Sequence, residues 1–157
     1  FLSRGTFIGG GYQNTMLRSG GGGSPRSSII GGTGNTINAN NGNIISSNIT
    51  GGIDNTIIGA QKFSSIIAGS GNTIQGYASG SNSYGEGNSI IGGIGNRMDT
   101  GVERCAIIGG ANNYMEAEGG PMNSVIAGGK VYHIDAINPR YPYTVLPQNS
   151  IFKSLQV

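Results

Sequence analysis

The chain has no Trp, one Cys, one His and few charges of either sign: nine Lys and Arg, seven Asp and Glu, a net charge of +2. Each shortage excludes something. A single cysteine, Cys105, cannot build an intrachain disulfide framework; it is expected to be a small, buried or half-buried residue beside a strand. The basic residues are scattered singly, from Arg4 to Lys153, so the stripe expected of a nucleic-acid binder is missing. No apolar run reaches bilayer-spanning length, and no membrane insertion is expected. The chain opens on Phe1 without an initiator Met or a signal-peptide pattern, which is expected of a processed product or a segment of a longer polypeptide.

Glycine, at 31 of 157 residues, is abundant, together with Asn, Ser and Ile. Disorder of the whole chain is disfavoured, because the net charge is low and the β-branched residues come in ordered pairs. Seven related words recur: FIGGGYQNTM (7–16), IIGGTGNTI (29–37), ITGGIDNTI (49–57), IIAGSGNTI (66–74), IIGGIGNRM (90–98), IIGGANNYM (107–115) and VIAGGKVYHI (125–134). Their starts are 22, 20, 17, 24, 17 and 18 residues apart. Words of fixed length separated by insertions of varying length are the pattern of a solenoid.

Short apolar runs rich in Ile and closed by Gly-Gly predict strands. The glycines permit positive φ at a turn. The Asn that follows, as in Asn35, Asn55, Asn72 and Asn96, suits turn backbone and is placed to bond from one copy to the next as a ladder. Adjacent strand residues point to opposite faces, so Ile29/Ile30, Ile66/Ile67, Ile90/Ile91 and Ile107/Ile108 put apolar surface on both sides. One side lines the coil; the other is a stripe that a soluble monomer would leave in water. The expected remedy is symmetric self-association as a homotrimer. The expected fold is therefore all-β: a parallel β-solenoid or β-roll of about seven irregular turns of 17–24 residues over 1–137. Seven turns at about 4.8 Å give a rod of roughly 30 to 35 Å. The stretch 138–157 carries Pro139, Pro142 and Pro147 and is expected to leave the stacked array, as a cap or linker.

The words S-I-I-G-G-x-x-N-T-I, at 28–37 and 65–74, resemble the Gly- and Asn-rich repeats of trimeric β-rolls. These occur in head domains of trimeric autotransporter adhesins and in bacteriophage and large-virus tail fibres. The resemblance spans residues 6 to about 134. It implies a structural and receptor-binding segment of a trimeric fibre that attaches to a cell-surface glycan or protein receptor, without catalysis or cofactor. A virion surface is its implied location, an extracellular or bacterial cell surface the alternative; the uneven spacing, looser than that of adhesin heads, favours the viral fibre.

Other chemistries leave no complete motif in the same residues. No word carries the Gly-Lys-Ser/Thr of a phosphate loop. The calcium-roll nonapeptide fails at Thr36, where its Asp should stand. A polysaccharide-degrading spike would need two carboxylates about 5 to 9.5 Å apart; Asp99, Glu103, Glu116 and Glu118 are the acids in successive loops, and no motif supplies an orienting group. His133 alone gives no metal site except on a threefold axis. The column Thr15, Thr36, Thr56, Thr73 begins like an ice-binding ladder and is broken by Arg97 and Tyr114. Neither a catalytic nor a metal residue is predicted. Binding is expected in the irregular loops, with Tyr77, Tyr84, Glu86, Glu103, Arg104 and Glu116 as candidates; tyrosine offers a flat face and a hydroxyl for stacking on a sugar.

Overall fold

The computed structural model describes residues 5–19, 26–40, 46–59, 61–76, 85–116, 123–130, 133–135 and 144–145. They form short strands and no helix. In chain order these are β1 (Phe7–Ile8), β2 (Thr15–Ser19), β3 (Ser28–Ile29), β4 (Thr36–Asn40), β5 (Asn48–Thr50), β6 (Thr56–Ile58), β7 (Gln61–Lys62), β8 (Ser65–Ile67) and β9 (Thr73–Gln75). There follow β10 (Gly85–Glu86), β11 (Ser89–Ile91), β12 (Arg97–Met98), β13 (Ala106–Ile108), β14 (Tyr114–Glu116), β15 (Val125–Ala127), β16 (His133–Asp135) and β17 (Thr144–Val145).

Each word folds as one layer. Its first strand joins an eight-stranded parallel sheet, β1-β3-β5-β8-β11-β13-β15-β17, and its second a seven-stranded one, β2-β4-β6-β9-β12-β14-β16. Between the two, one residue per word bridges to the next layer, in the series Tyr12, Thr33, Ile53, Ser70, Ile94, Ala111 and Lys130. Seven words thus make seven layers of a parallel β-solenoid.

The paired isoleucines divide as strand alternation requires. Ile29, Ile49, Ile66, Ile90, Ile107 and Ile126 of the first sheet are buried and face Ile37, Ile57, Ile74, Met98 and Met115 of the second. Two polar columns complete the interior. In one, Asn35 Nδ2 donates to Gly31 O (3.3 Å) in its own layer and to Gly52 O (3.0 Å) in the next, while its Oδ1 accepts from Asn55 N (3.0 Å). Asn14, Asn55, Asn72 and Asn96 repeat that scheme, and Asn113 Nδ2 repeats both donations, to Gly109 O and Gly129 O. The other column is Ser27, Ser47, Ser64, Asn88, Cys105 and Ser124, all buried just before the first strand. There, Ser47 N donates to Ser27 Oγ (3.3 Å) and Ser124 N to Cys105 Sγ (3.3 Å). Cys105 is thus buried beside β13, as expected. No buried side-chain N or O among the described residues lacks a partner, so a thin core carries its polar groups without a desolvation penalty.

Three expectations are corrected. The first word is shifted by one: Phe7 pairs with Ser28 and Ile8 with Ile29, so Gly9, not Ile8, is the counterpart of Ile30. The last word is shifted likewise, because Val125 pairs with Ala106 and Ile126 with Ile107. Both words hold three small residues in a row, which hides the register; the neighbouring layer decides it. Finally, the prolines after 138 do not end the array. β17 lies among them and adds an eighth strand, with Thr144 paired to Val125 and Val145 to Ile126. Pro142 and Pro147 flank that strand rather than enter it, which leaves its ladder groups available.

Candidate functional site

The corner between the two strands sets what the outside of the rod can present. In the fifth layer Gly92 and Gly93 both have positive φ, 69° and 84°, and they turn the chain between the sheets. The residue before the corner and the residue after it both face outward. The column before it runs Gly9, Ile30, Thr50, Ile67, Ile91, Ile108, Ala127; the column after it is the bridging series from Tyr12 to Lys130. Ile30, Ile53, Ile67, Ile91, Ile94 and Ile108 are all substantially exposed, from 42% at Ile91 to 63% at Ile94. From the first residue of the first strand to the bridge, no charged residue occurs in the first six layers; Lys130, in the seventh, is the first. The result is an apolar face, free of charge through its first six layers and stepped at the layer spacing of about 4.8 Å.

The ion pairs among the described residues lie on other faces. On the second sheet the outward column Thr15, Thr36, Thr56, Thr73 continues as Arg97 and Tyr114 in strict register. Arg97 Nη2 contacts Asp99 Oδ2 (2.8 Å) and Gln75 Oε1 (2.9 Å), and its guanidinium stands 6.0 Å from the centre of the Tyr114 ring. The Tyr114 hydroxyl reaches both Asp99 Oδ2 (2.9 Å) and Glu116 Oε2. Burial and the two carboxylates beside it push that phenol well above its ordinary value, so it stays protonated. Burial alone would raise Asp99; hydrogen bonds from Thr100 N, Tyr114 and Arg97, with the Arg97 charge, outweigh it and hold Asp99 below its ordinary value. The acids Asp99 and Glu116 thus converge on one phenol.

No family model, curated protein or solved structure matches this chain.

The loop candidates are distributed unevenly. Tyr77 and Tyr84 lie outside the described residues, as does Glu118. Glu86, in β10, pairs with Lys62 Nζ (3.4 Å), and its carbonyl accepts from Arg104 N (2.6 Å) of the next layer. Glu103 precedes Arg104 at that corner, and its carbonyl accepts from Asn123 N (3.3 Å). Glu86, Glu103 and Arg104 therefore share one edge of the rod, where the chain enters the first sheet. Glu116 is on the second sheet, against Tyr114. The stretch 100–105 is only partly a loop, because Val102 and Cys105 are buried and Asn88 Nδ2 donates to Val102 O (2.7 Å). His133 is in β16, paired with Tyr114.

Sequence reasoning did not isolate the Ser/Asn/Cys column, although the residue two places before each inward Ile is Ser, Asn or Cys in six layers. Nor did it find the bridging column as a second apolar outward row, since Thr, Ser and Ala interrupt its isoleucines.

Proposed function

We propose that the chain is a structural and receptor-binding segment of a homotrimeric attachment fibre, carried on a virion surface or, as the alternative, on a bacterial cell surface. The observation that carries this reading is the apolar face, free of charge through its first six layers. A sheet face with half-exposed isoleucines at layer after layer is far more apolar than water-facing surface tolerates over several hundred Å². A second copy of the same stepped face is its natural cover. A parallel stack also suits a shaft: its seven layers form a rod of about 30 Å, and the insertions fall in sequence between the second strand of one layer and the first strand of the next, where they can vary without disturbing the core. The resemblance of the S-I-I-G-G-x-x-N-T-I words to trimeric β-rolls supports the trimer and the attachment role; the receptor would be a surface glycan or protein met by the loops.

A second reading, a polysaccharide-degrading spike, is favoured by one observation: Asp99 and Glu116, two carboxylates as glycoside hydrolysis uses, approach the same hydroxyl. Two measurements separate these readings. Sedimentation equilibrium of the purified chain is expected to give the mass of three copies, and a stable monomer would remove the fibre reading. Incubation with surface polysaccharide is expected to release no reducing ends; their release, abolished by Glu116→Gln, would establish the spike.

A further inference from the structure

The two outward columns are matched in volume. In the second layer Ile30 stands before the corner and Thr33 after it; in the third, Thr50 and Ile53; in the fourth, Ile67 and Ser70. The first and sixth layers follow suit with Gly9/Tyr12 and Ile108/Ala111, and only the fifth, Ile91/Ile94, has two large residues. Packing within one chain does not require this. In the fifth layer both isoleucines are accommodated, with Ile91 still 42% and Ile94 63% exposed. The constraint lies across an interface.

We infer that copies of this chain associate side by side, parallel and in register, with the column before the corner in one copy packed on the column after the corner in the next. In the first, second, third, fourth and sixth layers such a contact holds one isoleucine or tyrosine against one small residue, so its thickness is nearly constant there; the fifth sets Ile91 on Ile94 and the seventh Ala127 on Lys130. Like-on-like contact would instead set Gly9 on Gly9, Ile30 on Ile30 and Thr50 on Thr50, and the spacing would swing by two large side chains from layer to layer. Close packing does not tolerate that over a rigid stack. The pairing is heterologous: each copy uses one column toward one neighbour and the other column toward the next, and a rotation of one third of a turn between neighbours closes it into the three-copy ring of the proposed trimer. This rests on the reading of the apolar face as a self-association surface and adds its geometry.

The test uses cysteine pairs in the full chain. Thr50→Cys and Ile53→Cys are made separately, both at exposed third-layer positions, and each protein is oxidised alone and after co-expression with the other. The expected result is a covalent two-chain band only from the co-expressed pair, with neither single variant cross-linking to itself. Self-cross-linking of Thr50→Cys alone, in a protein that sediments as an oligomer, overturns the column-on-column pairing while leaving the fibre reading intact. A monomer in the ultracentrifuge overturns both. A second pair, Ile67→Cys with Ser70→Cys, repeats the measurement one layer away and guards against a local folding defect. A volume exchange checks the same geometry without cross-links: Thr50→Ile alone is expected to weaken association at least tenfold, and Thr50→Ile with Ile53→Thr to restore it.

Discussion

At the residue scale, the two corner glycines look alike in sequence and are not. Gly31 and Gly32 both have positive φ, 72° and 83°. A Cβ on Gly31 would meet nothing within 4 Å, whereas one on Gly32 would run into Gly52 O and Asn35 Nδ2 of the layer interface. The protein makes the first substitution itself: Ala68 occupies the first corner position of the fourth layer at φ 57°. Gly31→Ala is therefore expected to cost only the left-handed backbone of a non-glycine residue, about 1 kcal/mol. Gly32→Ala must push adjacent layers apart and break the Asn35 amide bonds, costing about 3 kcal/mol or more from lost hydrogen bonds and strain. Thermal unfolding followed by circular dichroism checks the pair; equal losses would refute the distinction. The need for glycine at the corner was legible from I-I-G-G, but its division into a replaceable and an irreplaceable residue was not, because the obstruction is a carbonyl some twenty residues away in another layer.

At the scale of the element, one word is one layer, and its two strands hydrogen-bond only to the corresponding strands above and below. Asn48 of β5 pairs with Ser65 of β8, and Ser47 and Ser64 hold the same buried position one residue earlier. Removing residues 48–64 would join Ser47 to Ser65 without changing any column, so the shortened chain is expected to fold cooperatively with a modestly lower melting temperature. Removing only 48–55 would put β6 where a first-sheet strand belongs and is expected to abolish the cooperative transition. Circular dichroism melts of the two deletions decide it. Strand identity, strand order and the division of each Ile pair between two faces were readable here because Ile-Ile, Gly-Gly and Asn repeat at constant spacing; which member faces inward was not. Register was readable only where the small residues were two; at Gly9–Gly11 and Ala127–Gly129 three in a row allowed a one-residue slip that only contact with the next layer resolves. β17 was hidden for a different reason. Three prolines within nine residues outweigh Thr144–Val145 in any local reading, and its partner β15 supplies the reason for a strand there.

For the whole molecule, charge is partitioned by face. The apolar face holds no ionic group in its first six layers, while Lys62 with Glu86 and Arg97 with Asp99 pair elsewhere. Association through that face is therefore expected to be nearly insensitive to salt between about 0.05 and 1 M, since screening acts on charges and not on apolar burial. Ile67→Lys, at a half-exposed position, should leave the circular dichroism spectrum unchanged and shift the protein to monomer, because a lysine buried there would have no partner. Sedimentation in both salts and of the variant measures this; an oligomer that dissolves in high salt would point to the charged faces instead. Binding specificity was the least legible property, since a loop residue announces its type and not its neighbours: only the fold shows that Glu86 and Arg104 share an edge and that Glu116 does not. The interlayer bonds, such as Thr36 N to Asn55 O at 2.8 Å, carry one further consequence. They run along the axis of the rod, so tension on its two ends passes through every layer boundary in series. A single chain would break at its weakest boundary however strong the others are, whereas neighbours locked alongside it carry the load past that boundary.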